Sequence, residues 1–135
     1  MFFVDTGYML ALEIRSDQNH SRARAHWQEV NKNRPQLVTT SYIFTEVVTF
    51  LNNRGHHAKA TEVGSRLLAS SAVQLVHVDQ ALFYEGWSYF QKYHDKEYSL
   101  TDCISFLIMQ RLSIQTALTF DKHFVQAGFR MEPDT

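Results

Sequence analysis

The chain has 135 residues, with 13 Lys+Arg against 14 Asp+Glu. That length suits one domain able to bury most of its apolar surface without disulfides or structural metal, and the near-neutral balance argues against coating nucleic acid through charge alone. A hydrophobic fraction of 44%, a charged fraction of 20%, five Gly and two Pro exclude the disordered and collagen-like classes.

In chain order, Phe2 to Val4 is a wholly apolar run closed by Asp5-Thr6-Gly7, as expected of a strand buried on both faces of a parallel sheet. The start MFFVD carries no basic n-region, and no uncharged apolar run approaches the roughly 20 residues needed to cross a bilayer, so a soluble cytoplasmic protein is expected. Ala23, Trp27 and Val30 recur at helical spacing, and the polar stretch Asn31 to Pro35 reads as a loop. Leu37 to Thr39 is a second strand, followed by helical patterns through Ile43, Val47 and Leu51 and through Ala60, Val63 and Leu67. Val73 to Val78 is a third strand. Phe83, Trp87 and Phe90 mark a further helix, expected to set its aromatics against the sheet or across a dimer seam. After a loop at Tyr93 to Tyr98, the string SLTDCISF opens an apolar helix. It contains the lone cysteine, Cys103, which reads as a buried inert thiol whose pKa the adjacent Asp102 raises. Thr116 to Thr119 is a fourth strand, and the tail after Arg130, with Pro133, is expected to fray.

Strands alternating with helices imply βαβ crossovers, hence an α/β fold with a central, mostly parallel sheet and helices on both faces. No repeat or linker divides residues 1–135, so one domain is expected. Ligand crevices in such sheets lie beyond the carboxyl ends of the strands. Asp5 and Asp121 fall at those ends, and Asp102 begins the helix leading into the strand before Asp121. Glu46 sits on the third helix, the only charge between Arg34 and Arg54, as Asp102 is between Glu97 and Arg111. Each acid alone has a structural reading: Asp5 and Asp121 as helix N-caps, Asp102 in a capping box with Ser99, Glu46 as an ordinary helix acid. Together they are acids isolated in apolar surroundings, costly unless they meet a cation or hydrogen bonds.

Four carboxylates without a matching His/Cys set suit hard ions such as Mg2+ or Mn2+ better than zinc. Crowded carboxylates repel, so at least one pKa should rise where no cation relieves them. One ion or two would serve phosphodiester hydrolysis. Adjacent His56 and His57 point about 100° apart on a helix and form no chelating pair. They, with Arg54 and Lys59, read either as phosphate contacts or as a solvated helix start. Tyr8 is a candidate for stacking an unpaired base, and His123 for approaching the scissile phosphate or standing by exposed.

These residues carry a resemblance to the PIN domain, in particular the compact ribonuclease toxins of the VapC type. Val4-Asp5-Thr6 is similar to the family's first acid motif, Thr45-Glu46-Val47 to the second and Leu100-Thr101-Asp102 to the third. Thr119-Phe120-Asp121 with Phe124 is similar to its T-x-D-x-x-F signature. The resemblance spans nearly the whole chain. It implies an α/β/α sandwich, Mg2+ or Mn2+ held by Asp5, Glu46, Asp102 and Asp121, and endonucleolytic RNA cleavage leaving a 5′-phosphate. It also implies a homodimer and an antitoxin that blocks the site, with Thr6 and Thr119 orienting a carboxylate or a water.

Two other classes fit less well. Aspartyl phosphotransfer proteins also gather acids at strand ends around Mg2+, but Thr6-Gly7 stand where a phosphatase places D-x-D, and only Asp79 follows the third strand. A PIN-like module that binds RNA or a partner without cutting is the non-enzymatic alternative, separable by RNA binding without metal-dependent turnover.

Overall fold

A computed structural model describes residues 1–134 of the chain. Strand β1 (Phe2–Val4) lies at the centre of a five-stranded sheet whose other members are β2 (Leu37–Thr40), β3 (Val73–Val76), β4 (Thr116–Leu118) and β5 (Arg130–Glu132). The spatial order is β3-β2-β1-β4-β5, and every pairing is parallel. Burial on both faces explains why central β1 is continuously apolar instead of alternating: Phe3, with Val38 of β2 and Ala117 of β4 beside it, is wholly inaccessible to solvent.

Seven helices are formed by the described residues: α1 (Thr6–Glu13), α2 (His20–Val30), α3 (Ser41–Asn53), α4 (His57–Ala69), α5 (Gln80–Lys92), α6 (Leu100–Arg111) and the short α7 (His123–Gln126). They complete the expected α/β/α sandwich. Helix α6 runs through the interior, with Cys103, Ile104, Phe106 and Met109 at zero exposure, and this is why its sequence is apolar on most sides. Burial, then the charge of Asp102, pushes the Cys103 thiol up to about 11, so it is inert at neutral pH.

Three expectations need correction. The third strand ends at Val76 instead of Val78, because its partner β2 ends at Thr40 and the Val78 amide turns away to donate to Ser41 Oγ at 2.9 Å. The chain does not fray directly after Arg130: Met131 and Glu132 continue β5, in register with β4 from Thr116↔Arg130 to Leu118↔Glu132, and Thr135 lies outside the described residues. The Phe83, Trp87 and Phe90 side of α5 does not face the sheet; these rings are 39%, 45% and 37% exposed. The inward side of α5 carries Leu82 and Gly86 instead. A Cβ at Gly86 would sit 2.6 Å from Ile104 Cγ1, so α5 and α6 approach too closely there for any larger residue.

Candidate active site

Strand order reverses beside β1, since the chain moves outward through β2 and β3 and then returns to place β4 on the other side. A crevice at the carboxyl ends of β1 and β4 follows from that reversal. Asp5 leaves β1 there, with its amide donating to Leu118 O of β4 at 3.0 Å. Asp121 leaves β4 three residues after Leu118. Glu46 comes from α3 and Asp102 from the first turn of α6. All four acids line one open cleft of about 500 Å3, with Thr6, Gly7, Ser99, Thr101, Phe120 and Lys122.

The local sequence explains how each acid is held. Asp5 precedes α1 with extended backbone, but its side chain makes no helix cap. Its Oδ2 instead accepts from Thr119 Oγ1 at 2.8 Å, a bond between residues 114 apart in sequence. The same Thr119 hydroxyl accepts the Asp121 amide at 3.0 Å, so one buried threonine ties two acids together. Glu46, although exposed, is gripped at both oxygens: Thr6 Oγ1 donates to Oε1 at 2.7 Å and Thr101 Oγ1 to Oε2 at 3.0 Å. Asp102 completes the capping box, its amide donating to Ser99 Oγ at 3.0 Å and its Oδ2 accepting the Ser99 amide at 3.2 Å. Asp121 Oδ1 accepts the His123 amide at 2.9 Å. For Asp102 the capping-box reading holds alongside the placement in the cleft, whereas the N-cap of α7 is Lys122, with no side-chain cap, and not Asp121.

Electrostatically the cleft is short of positive charge. Among the described residues no Lys or Arg forms an ion pair with any of the four acids; only His123 comes close, its Nδ1 lying 3.1 Å from Asp121 Oδ1 and 3.6 Å from Asp102 Oδ2. Burial pushes the Asp5 carboxyl up to about 7, against the hydrogen bond from Thr119, and the negative charge of Asp102 adds to the rise. Burial also raises Asp102, with Asp121 adding to it and the Ser99 backbone opposing. Oxygen donors crowded in this way fit a hard divalent cation, and Asp102, Asp121 and His123 place ligand atoms within 4.8 Å of one another.

Of the other sequence candidates, Tyr8 cannot stack a base. It is wholly buried, its hydroxyl meets His26 Nδ1 at 2.8 Å and its ring stacks on Phe120, because three residues past Asp5 it lies on the inward side of α1. Arg54 caps the far end of α3 and covers the Phe50 ring, outside the cleft. Lys59 is also outside, paired with Glu13 at 3.1 Å. Sequence reasoning assigned no role to Thr101 or Lys122; both adjoin motif acids, and adjacency was their only signal. A second cavity, about 460 Å3, lies among α1, α2 and α4 and is lined by apolar groups such as Met9, Leu12, Trp27 and Leu67. It gathers no carboxylate cluster.

The PIN-domain family model matches residues 2–130. The 23S rRNA-specific endonuclease VapC20 of Mycobacterium tuberculosis is 35% identical over 130 residues, covering 96% of this chain and 95% of that protein. The crystal structure of M. tuberculosis VapC20, a sarcin–ricin loop cleaving toxin, superposes with a TM-score of 0.85 at 31% identity, covering 96% of both chains. FitAcB from Neisseria gonorrhoeae shares the fold, with a TM-score of 0.68 at 17% identity over 97% of this chain and 96% of that one. With a family match across nearly its whole length and a relative of this identity, the chain belongs to the PIN-domain family, as an endonuclease homologue of the VapC type.

Proposed function

We propose that the protein is a metal-dependent endoribonuclease and the toxin of a toxin–antitoxin pair, with Asp5, Glu46, Asp102 and Asp121 holding one or two Mg2+ or Mn2+ ions. The observation that carries this reading is the convergence of four acids in one cleft with no Lys or Arg ion-paired to any of them among the described residues, Asp5 being driven up to about 7. A bound divalent ion supplies charge relief on the scissile phosphate and activates water for in-line attack.

The chain's own residues do the positioning. Thr119 aligns Asp5 and Asp121 as a unit, and Thr6 with Thr101 fixes the Glu46 carboxylate. Ser99 anchors one oxygen of Asp102. Preset donor geometry lowers the cost of organising the site at the moment of reaction. Lys122, exposed on the cleft wall, draws the RNA backbone toward the acids.

For substrate we assign the sarcin–ricin loop of large-subunit ribosomal RNA, on the strength of the 35% identity to the 23S rRNA-specific VapC20 and of the likeness to its structure as a sarcin–ricin loop cleaving toxin. The site of action is then the cytoplasm; no helix among the described residues is long and apolar enough to cross a membrane. For partners we assign an antitoxin that occludes the cleft, and a second copy of the chain. The exposed Phe83, Tyr84, Trp87 and Phe90 of α5 support a dimer seam, and Trp87→Glu should then halve the mass seen by light scattering.

The decisive experiment is incubation of ribosomal RNA and of a sarcin–ricin hairpin with purified protein, with Mg2+ or Mn2+, with chelator, and with Asp102→Asn. The reading expects a single metal-dependent cut that Asp102→Asn abolishes. A folded, antitoxin-free sample that cuts neither RNA under any condition overturns it.

A further inference from the structure

His123 opens α7 with its Nδ1 turned toward the Asp102 and Asp121 carboxylates and its ring held edge-on against Tyr98 at 5.5 Å between centroids. Its Nδ1 is buried and makes no hydrogen bond. The atom lies 3.1 Å from Asp121 Oδ1, but the approach is misaligned for an N–H donor. In the tautomer with the proton on Nε2, the Nδ1 lone pair faces two carboxylates, acceptor against acceptor. In neither neutral tautomer does the nitrogen find a hydrogen bond within the protein. Buried polar atoms left without partners are rare, and each calls for an explanation.

We propose that His123 is a nitrogen ligand of the divalent ion, completing with Asp102 and Asp121 a mixed N/O donor set that favours Mn2+ over Mg2+. This rests on the metal reading above and deepens it. Neighbouring donors on an ion with bonds of about 2.1 Å stand about 3 Å apart; Nδ1 is 3.1 Å from Asp121 Oδ1 and 3.6 Å from Asp102 Oδ2. One cation there turns a repulsive contact into shared coordination. Carboxylate oxygens suit both Mg2+ and Mn2+, but Mg2+ dehydrates reluctantly and keeps its waters, so a nitrogen that must displace a water costs Mg2+ more than Mn2+ and discriminates between the two metals.

The test is pulsed EPR of Mn2+ bound to the full chain, without RNA. Wild-type protein should show nitrogen modulation that changes to the 15N pattern on labelling histidine and vanishes in His123→Gln. By calorimetry, His123→Gln should weaken Mn2+ about tenfold and leave Mg2+ within about twofold. His123→Asp, which restores an oxygen donor, should bind both ions with no nitrogen signal, so a folded control survives if the glutamine variant does not. Bound Mn2+ without nitrogen coupling, or coupling that persists in both variants, overturns the ligand assignment and leaves the nuclease reading intact. Failure of wild-type protein to bind Mn2+ at all overturns both.

Discussion

Replacing Thr119 by valine isolates the hydroxyl that joins two strand-end acids. The side chain is wholly buried, donates to Asp5 Oδ2 at 2.8 Å and accepts the Asp121 amide at 3.0 Å. Valine keeps the shape and deletes both bonds. Losing a hydrogen bond to an ionised partner costs about 1.5–3 kcal/mol, and leaving the Asp121 amide unpaired costs about 1–3 kcal/mol more. That sum is a large share of the roughly 5–15 kcal/mol that holds a typical domain folded. The electrostatic consequence has a definite sign: the Thr119 bond opposes the burial that lifts Asp5 to about 7, so without it the carboxyl rises further. Metal binding requires ionised Asp5 and therefore strengthens as pH rises through that value, then levels off. Thr119→Val should move the midpoint of Mn2+ binding, and of cleavage, by about one unit to higher pH and weaken the metal by about 10- to 100-fold at pH 7. Calorimetric titrations between pH 6 and 9, with cleavage rates over the same range, read both quantities. Thr119→Ser, which keeps the hydroxyl, should recover most of the loss. A valine variant with wild-type affinity and an unmoved midpoint would refute the argument.

The same raised carboxyl makes metal-free protein lose stability as pH climbs. Unfolded Asp5 ionises near 3.8 and folded Asp5 near about 7, so stability falls across that interval and is flat above it, by on the order of 4 kcal/mol. Asp5→Asn should remove this component, raising the pH 8 melting temperature of the metal-free protein while abolishing its rise on adding Mn2+; scanning calorimetry checks both. Glu46→Gln alters an exposed group, so it should cut the cleavage rate roughly 100-fold with a change in unfolding free energy within about 0.5 kcal/mol. Gly86→Ala drives a methyl to within 2.6 Å of Ile104 Cγ1 and should destabilise by about 1–3 kcal/mol in urea, part of it recovered by adding Ile104→Val.

What the sequence reveals follows which interactions are encoded by side-chain type. The first four strands are legible because each is short and rich in apolar or β-branched residues, from FFV in the central strand to LVTT and VQLV further out. Strand β5 reads Arg-Met-Glu and is held by backbone pairing, with the Arg130 amide donating to Gln115 O at 2.8 Å and the Thr119 amide to Glu132 O at 3.0 Å. Backbone pairing leaves no compositional mark. Helix α5 misleads differently: its aromatic period is correct, but the face that packs inward is marked by Gly86, the residue that contributes least to any hydrophobic count. Tyr8 shows the same limit, since a tyrosine beside a strand-end acid reads identically whether it meets RNA or, as here, His26 and Phe120.

The acids were legible because charge in an apolar setting needs a reason, and the frame around them shows how far the protein itself supplies it. Each aspartate has one oxygen held by a donor: Asp5 by Thr119, Asp102 by the Ser99 amide, Asp121 by the His123 amide. Glu46 has both held, by Thr6 and Thr101. These five donors fix the directions of the carboxylates while carrying no formal charge, so they orient the acids without neutralising them. A cluster whose purpose was stability would be better served by an arginine fork, which does both, or by apolar residues, which avoid the desolvation of the charges altogether. A frame of hydroxyls and amides holds the aspartates without neutralising them and keeps Asp5 near its ionisation point at neutral pH. The arrangement is therefore most stable when a cation arrives, which couples the folded energy of the domain to the occupancy of its site.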